Sequence, residues 1–187
     1  PLISSTADFW ASRVERNGPS HYDIKNVVAA DEWAENVDND AFTNGAAKML
    51  LQHATEAAKI LGIAADPDWM KVAANIPILE LPNGVTQEHA TYHWEGIKQA
   101  DVNLLAFPLK LITDPARIRK DLTYYQTRVP DAGTPAMTHA IFALLYARLG
   151  EGDAADRYFQ EAYLTNLTPP FRAIAETKGA PHPYFAT

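Results

Sequence analysis

The stretch Ala41–Leu61 constrains this chain more than any other. Phe42, Ala46, Met49, Leu50, Ala54, Ala57, Ile60 and Leu61 recur at the helical period, and Gly62 follows as a natural stop. An amphipathic helix of that length must lay its apolar stripe on another element. The rest of the chain supplies further helices rather than a sheet. Ser4 or Ser5 opens a helix carrying Phe9, Trp10 and Val14, which Asn17-Gly18-Pro19 ends. Asp66-Pro67 and Asp114-Pro115 each set an acid before a proline in the first turn, where the missing N–H costs nothing. Thr134-Pro135 starts a helix through Phe142 and Leu145 to Gly150, and Gly152 or Asp153 opens the next, with Tyr158 and Ala162. The connections are short, so neighbouring helices run antiparallel. The expected fold class is all-α, built of stacked αα-hairpins.

A few stretches depart from this pattern. His21–Ala30 reads as a short strand or extended loop, and Ile78–Gln87 as a small β-hairpin around Asn83-Gly84. After that hairpin helical patterning resumes, with an apolar helix expected over Asp101 to Phe107 that Pro108 stops, while the tail from Thr168-Pro169-Pro170 is extended or irregular. The hairpin Ala143–Ala162 has the Leu-Gly and Ala spacing of a tetratricopeptide unit. No second copy follows at a period of about 34 residues, so an ordinary helix-turn-helix is expected.

Charge and composition narrow the function. The 187 residues hold 16 Lys+Arg against 23 Asp+Glu, a net charge of −7, and no cysteine. Disulfide scaffolds and thiolate metal sites are excluded. An acidic chain lacks the clustered cations that nucleic-acid phosphates need, so no nucleic-acid partner is expected. No apolar run approaches the roughly 20 residues of a membrane helix, and no signal peptide is legible, which leaves the compartment open. Hydrophobic residues at 47% suffice for a core, and the length fits a single domain.

Several clusters carry possible chemistry. Asp31-Glu32-Trp33 sets two carboxylates beside an indole. A carboxyl desolvated against an aromatic wall has a raised pKa and donates a proton near neutrality; equally, such acids serve as helix-entry groups and the indole as core. Glu35-Asn36-Val37-Asp38-Asn39-Asp40 is rich in amides that bind sugar hydroxyls or, more ordinarily, make turns and caps. Lys98-Gln99 can clamp vicinal hydroxyls or sit in solvent. His89 and His93 have the spacing of a helical metal pair but lack an evident third ligand, so no metal site is expected. Glu176 matters only if it faces Glu32 in space.

Taken together and in order, Ile3-Ser4-Ser5, Ala7-Asp8-Phe9-Trp10, Asp31-Glu32-Trp33, Val37-Asp38-Asn39-Asp40-Ala41-Phe42-Thr43-Asn44, Lys98-Gln99-Ala100-Asp101-Val102 and Pro135-Ala136-Met137-Thr138 resemble the second half of the catalytic domain of glycoside hydrolase family 65. The opening motifs are most similar to those of the glucosyl-galactosyl-hydroxylysine glucosidases. The resemblance implies an (α/α)6 barrel and an inverting mechanism on α-linked glucosides. By matching motif positions it assigns Glu32 as general acid, Lys98 and Gln99 as glucose-binding residues, and Trp33 as the aromatic beside the acid, with Asp31 grouped among the substrate-binding residues. Ala34 stands where many phosphorylases of the family have His. Glu176 falls where the phosphorylases place a phosphate-binding loop and the hydrolases a Glu. A carboxylate there repels phosphate and can deprotonate water, so Glu176 is expected to be the general base.

The resulting expectation is a hydrolase of an α-1,2-linked glucosyl disaccharide such as kojibiose or glucosyl-galactose, with no metal or organic cofactor. Acid trehalase and disaccharide phosphorylase are the alternatives within the family, and a non-catalytic helical module that binds a protein partner is the alternative outside it. An (α/α)6 barrel has twelve helices and about seven are legible, so the chain is expected to be part of that domain, residues 1–187 of it. On this expectation it lacks the remainder of the same catalytic domain, is inactive alone, and leaves a homo-oligomer open.

Overall fold

A computed structural model describes residues 2–130 and 134–177; Gly179 and the apolar end Tyr184–Thr187 lie outside them. Among the described residues there are six α-helices: α1 (Leu2–Arg13), α2 (Ala41–Leu61), α3 (Pro67–Asn75), α4 (Pro115–Gln126), α5 (Ala136–Arg148) and α6 (Gly152–Tyr163). Two ribbons of two residues per strand accompany them, β1 (Glu15–Arg16) with β2 (Tyr22–Asp23) and β3 (Leu167–Thr168) with β4 (Ala173–Ile174), both antiparallel. None of the described helices is long and apolar enough to cross a membrane.

The chain forms two compact units. The first holds residues up to Ala29 and Ala34–Tyr92; the second holds Ala30–Trp33 and the chain from His93 onward. In the first, α2 is fixed at both ends. The Asp40 side chain accepts from Thr43 N at 2.7 Å, and Gly62, at φ 65°, returns its N–H to Ala58 and Lys59 carbonyls. Only a residue without Cβ adopts that left-handed turn at no steric cost. The face it buries, through Ala47, Leu51 and Ala54, is offset from the stripe read from sequence, whose Ile60 and Leu61 stay exposed, and it packs with Trp69 and Val72 of α3, Ala7 of α1, and Ile24. Asp66 caps α3 by accepting from Asp68 N, with Pro67 in the first turn. The expected hairpin closes through Leu81 N on Val85 O at 2.8 Å and a bridge between Glu80 and Thr86.

The amide-rich segment after Trp33 makes turns and caps. Asn39 is buried, accepts from Ile24 N and donates to Asp23, while Asp38 accepts from Asn26 N. His21, Asn17 and Asn39 all contact the buried Asp23 carboxylate. Burial pushes the pKa of Asp23 up, but these hydrogen bonds outweigh it and hold the group below its ordinary value.

In the second unit α5 and α6 form a tight αα-hairpin, an ordinary helix-turn-helix as expected. Tyr146 and Tyr158 stack with ring centroids 5.5 Å apart, and both hydroxyls donate to Gln126 Oε1 of α4, at 2.5 and 2.8 Å. The apolar run after Asp101 is a 3-10 turn, Val102–Leu105, rather than a longer helix. The tail is more ordered than its prolines imply: a 3-10 turn at Leu164–Asn166 leads into the β3–β4 ribbon.

Candidate active site

The site residues begin at the tip of a loop. Val27 and Val37 exchange backbone hydrogen bonds at 2.9 and 3.0 Å, and Ala29 N donates to Ala34 O at 3.0 Å. This stem leaves Ala30–Trp33 as a four-residue tip, and the tip belongs to the second unit. There it meets Lys98–Asp101, far away in sequence. Hydrogen bonds that each use a side chain tie the two segments. Ala30 N donates to Asp101 Oδ2 at 3.0 Å, and Glu32 N to Gln99 Oε1 at 3.0 Å. Asp31 Oδ1 accepts from Lys98 N at 3.0 Å, Gln99 N at 3.4 Å and Trp33 N at 3.1 Å.

Burial divides the predicted residues into two kinds. Asp31 is 2% exposed and Gln99 6%. The Glu32 side chain is 59% exposed and Trp33 56%. Glu32 Oε2 accepts from Lys98 Nζ in an ion pair and from Gln99 Nε2 at 2.8 Å. The residues read from sequence as acid and sugar ligands therefore hold one another. The Lys98 hydrogen bond, then that of Gln99, lowers the Glu32 pKa below the ordinary carboxylate value, and the same pair raises that of Lys98. This reverses the expectation from the aromatic wall. Trp33 does not enclose the carboxylate, and a neighbouring ammonium outweighs what little desolvation remains.

Trp33 lies beside Gly96. A Cβ on Gly96 would come within 3.1 Å of Arg128 O and 3.9 Å of Trp33 Cζ3. Arg128 O also accepts from Ile97 N at 3.0 Å, so the segment entering Lys98 passes close against that backbone.

Glu176 follows β4 and is half-buried. Its carbonyl accepts from Ala136 N at 2.9 Å and Asn166 Nδ2 at 3.3 Å, and Thr177 bridges to Pro135. Thr138, two residues further along the same first turn of α5 and fully buried, donates its hydroxyl to Lys98 O at 2.8 Å. The first turn of α5 thus contacts both the Glu176 backbone and the Lys98 backbone. The Glu176 charge also contributes to the raised pKa of Lys98.

Sequence reading had attached no role to Asp101, Thr138 or Gly96. Asp101 and Thr138 stand inside motifs that carried the family resemblance, and that was the available signal. His89 hydrogen-bonds Thr91 and sets its ring edge-on to Tyr92. Among the described residues no group of three or more His, Asp or Glu is arranged to hold a metal.

Comparison with known proteins adds the lineage. Residues 1–93, which include Asp31, Glu32 and Trp33, match the glycosyl hydrolase family 65 central catalytic domain. The whole chain aligns with a kojibiose hydrolase of Mucilaginibacter mallensis at 68% identity and one of Flavobacterium johnsoniae at 57%, and it spans 28% of the length of each. A solved structure titled as a putative kojibiose phosphorylase from the human microbiome superposes with a TM-score of 0.71 at 17% identity, over 87% of this chain and 28% of that one. The helical hairpins are part of an (α/α)6 barrel, and the chain belongs to glycoside hydrolase family 65.

Proposed function

We propose that the protein containing this chain hydrolyses an α-linked glucoside with inversion, preferring an α-1,2-glucosyl disaccharide such as kojibiose or glucosyl-galactose. The observation that carries the reading is the solvent-facing Glu32 carboxylate gripped on one oxygen by Lys98 and Gln99. Glu32 donates its proton to the glycosidic oxygen as the bond from that oxygen to the anomeric carbon breaks. Glu176 removes a proton from water, which attacks that carbon from the opposite face. Inverting pairs stand roughly 6.5–9.5 Å apart to admit that water. The two carboxyl groups exchange protons with solvent to reset. Lys98 and Gln99 hold glucosyl hydroxyls, Trp33 packs on the sugar, and Asp31 acts through the backbone beside them.

The resting ion pair gives substrate binding a chemical consequence. An acid paired with an ammonium is a poor proton donor near neutrality. When glucosyl hydroxyls take over Lys98 and Gln99, Glu32 loses the partners that depress its pKa. Its proton affinity rises where the leaving oxygen needs it.

The whole protein's activity rests on the relatives, which this chain matches over 28% of their length. We infer that these 187 residues alone do not turn over, because they span only 28% of the length of those relatives. The deciding assay uses the full-length protein on kojibiose, glucosyl-galactose and trehalose, with and without phosphate. Phosphate-independent release of β-glucose from kojibiose is expected. Glucose 1-phosphate would overturn hydrolysis, and a preference for trehalose would overturn the linkage. Glu32→Gln and Glu176→Gln should each lower kcat by at least about 100-fold, the scale of a lost general acid or base.

A further inference from the structure

Two buried polar side chains stand behind the roles proposed above, and both grip the same backbone. Asp31 points away from the exposed face that Glu32 and Trp33 present. Its Oδ1 takes the amides of Lys98 and Gln99 as well as that of Trp33. Thr138 takes the Lys98 carbonyl from the opposite side. Lys98, a long side chain on an irregular segment, is therefore held by its own N–H and C=O to two separate pieces of chain. One piece carries the acid. The other, the first turn of α5, also receives the Glu176 carbonyl at Ala136 N.

We propose that Asp31 and Thr138 are positioning residues, Asp31 locking the Lys98-Gln99 backbone to the Glu32 tip and Thr138 locking the same backbone to the α5 turn that anchors Glu176. The proposal rests on the hydrolase reading for its catalytic meaning and on the hydrogen bonds alone for its geometry. Neither residue touches substrate. Each acts by fixing where the Lys98 ammonium and the Gln99 amide stand relative to the acid. Misplacement of about 1 Å in such a constellation costs on the order of 100-fold in rate. Among the described residues, the charged groups that act on Lys98 are Glu32, Glu176 and Asp31, and Glu32 is in direct contact with its ammonium.

The experiment uses the full-length protein with Asp31→Ala, Asp31→Asn, Thr138→Val and Thr138→Ser, read by kinetics, by pH profile and by amide hydrogen exchange at Lys98 and Gln99. Asp31→Ala should lower kcat/KM by about 100-fold and Thr138→Val by about 10-fold, with Thr138→Ser restoring the loss to within about 2-fold. Asp31→Asn, which keeps an acceptor oxygen, should fall between wild type and Asp31→Ala. In the two damaging variants the alkaline limb of kcat/KM moves to higher pH, because a loosened Lys98 depresses Glu32 less. A residue that only supports the fold would lower the folded fraction and leave that limb in place. The Lys98 and Gln99 amides should exchange faster in Asp31→Ala while Leu51 in α2 does not change. Wild-type kinetics and limb position in Thr138→Val, or unchanged exchange in Asp31→Ala, would overturn the proposal. If wild-type protein hydrolyses none of the glucosides, the functional reading fails by itself and the exchange result still decides the brace.

Discussion

At Glu32 the balance between a neighbouring charge and solvent decides the chemistry. Lys98 lowers the carboxylate pKa, so under the proposed mechanism, in which Glu32 must be protonated to act, activity falls as the pH rises through that depressed value. The kcat/KM profile reports free enzyme and the kcat profile the substrate complex. The alkaline limb of kcat is therefore expected at higher pH than that of kcat/KM, and Lys98→Met should move the kcat/KM limb upward. Coincident limbs in wild-type protein would contradict the exchange of partners. At Gly96 the constraint is space. An added methyl meets the Arg128 carbonyl at 3.1 Å, and backbone cannot swing aside as a side-chain tip does. Gly96→Ala should shift the strand of chain leading into Lys98 and lower kcat/KM by about 10-fold, less than a fully misplaced ligand. A steady-state assay on purified variant checks it.

Elements were legible where capping chemistry marked their ends. Asp40, Gly62, Asp66-Pro67 and Asp114-Pro115 delimit α2, α3 and α4 at the residues read from sequence, because a cap is a local agreement between side chain and backbone. Asp40 is buried and caps α2, and Asp40→Ala should cost roughly 1 kcal/mol, measured as a lower urea midpoint. Gln126→Leu removes the acceptor shared by Tyr146 and Tyr158 and should cost about 1–3 kcal/mol in the same measurement. Glu32, Lys98 and Gln99 were found through their motifs. What joins them was not legible, since Asp31 and Gln99 meet across 68 positions and no local pattern encodes that meeting. The direction of the Glu32 pKa was not legible for the same reason. An adjacent indole is visible in sequence, whereas a lysine brought from 66 residues away is not.

Over the whole molecule, Glu32 stands in a segment of chain that leaves the first unit after Ala29 and returns to it at Ala34. Closing a loop of that separation to bring Lys98 onto Glu32 costs on the order of 4 kcal/mol of chain entropy. The helices have no such cost, being local, and helix formation precedes long-range closure in general. Without that closure Glu32 lacks the two groups that lower its pKa. Its chemistry is acquired only when residues 98 and 99 arrive. A protease cut between the tip and Lys98 would leave every helix described here unbroken if it fell at Asn83-Gly84. The acid would then be held to its lysine by hydrogen bonds and by no nearby covalent path.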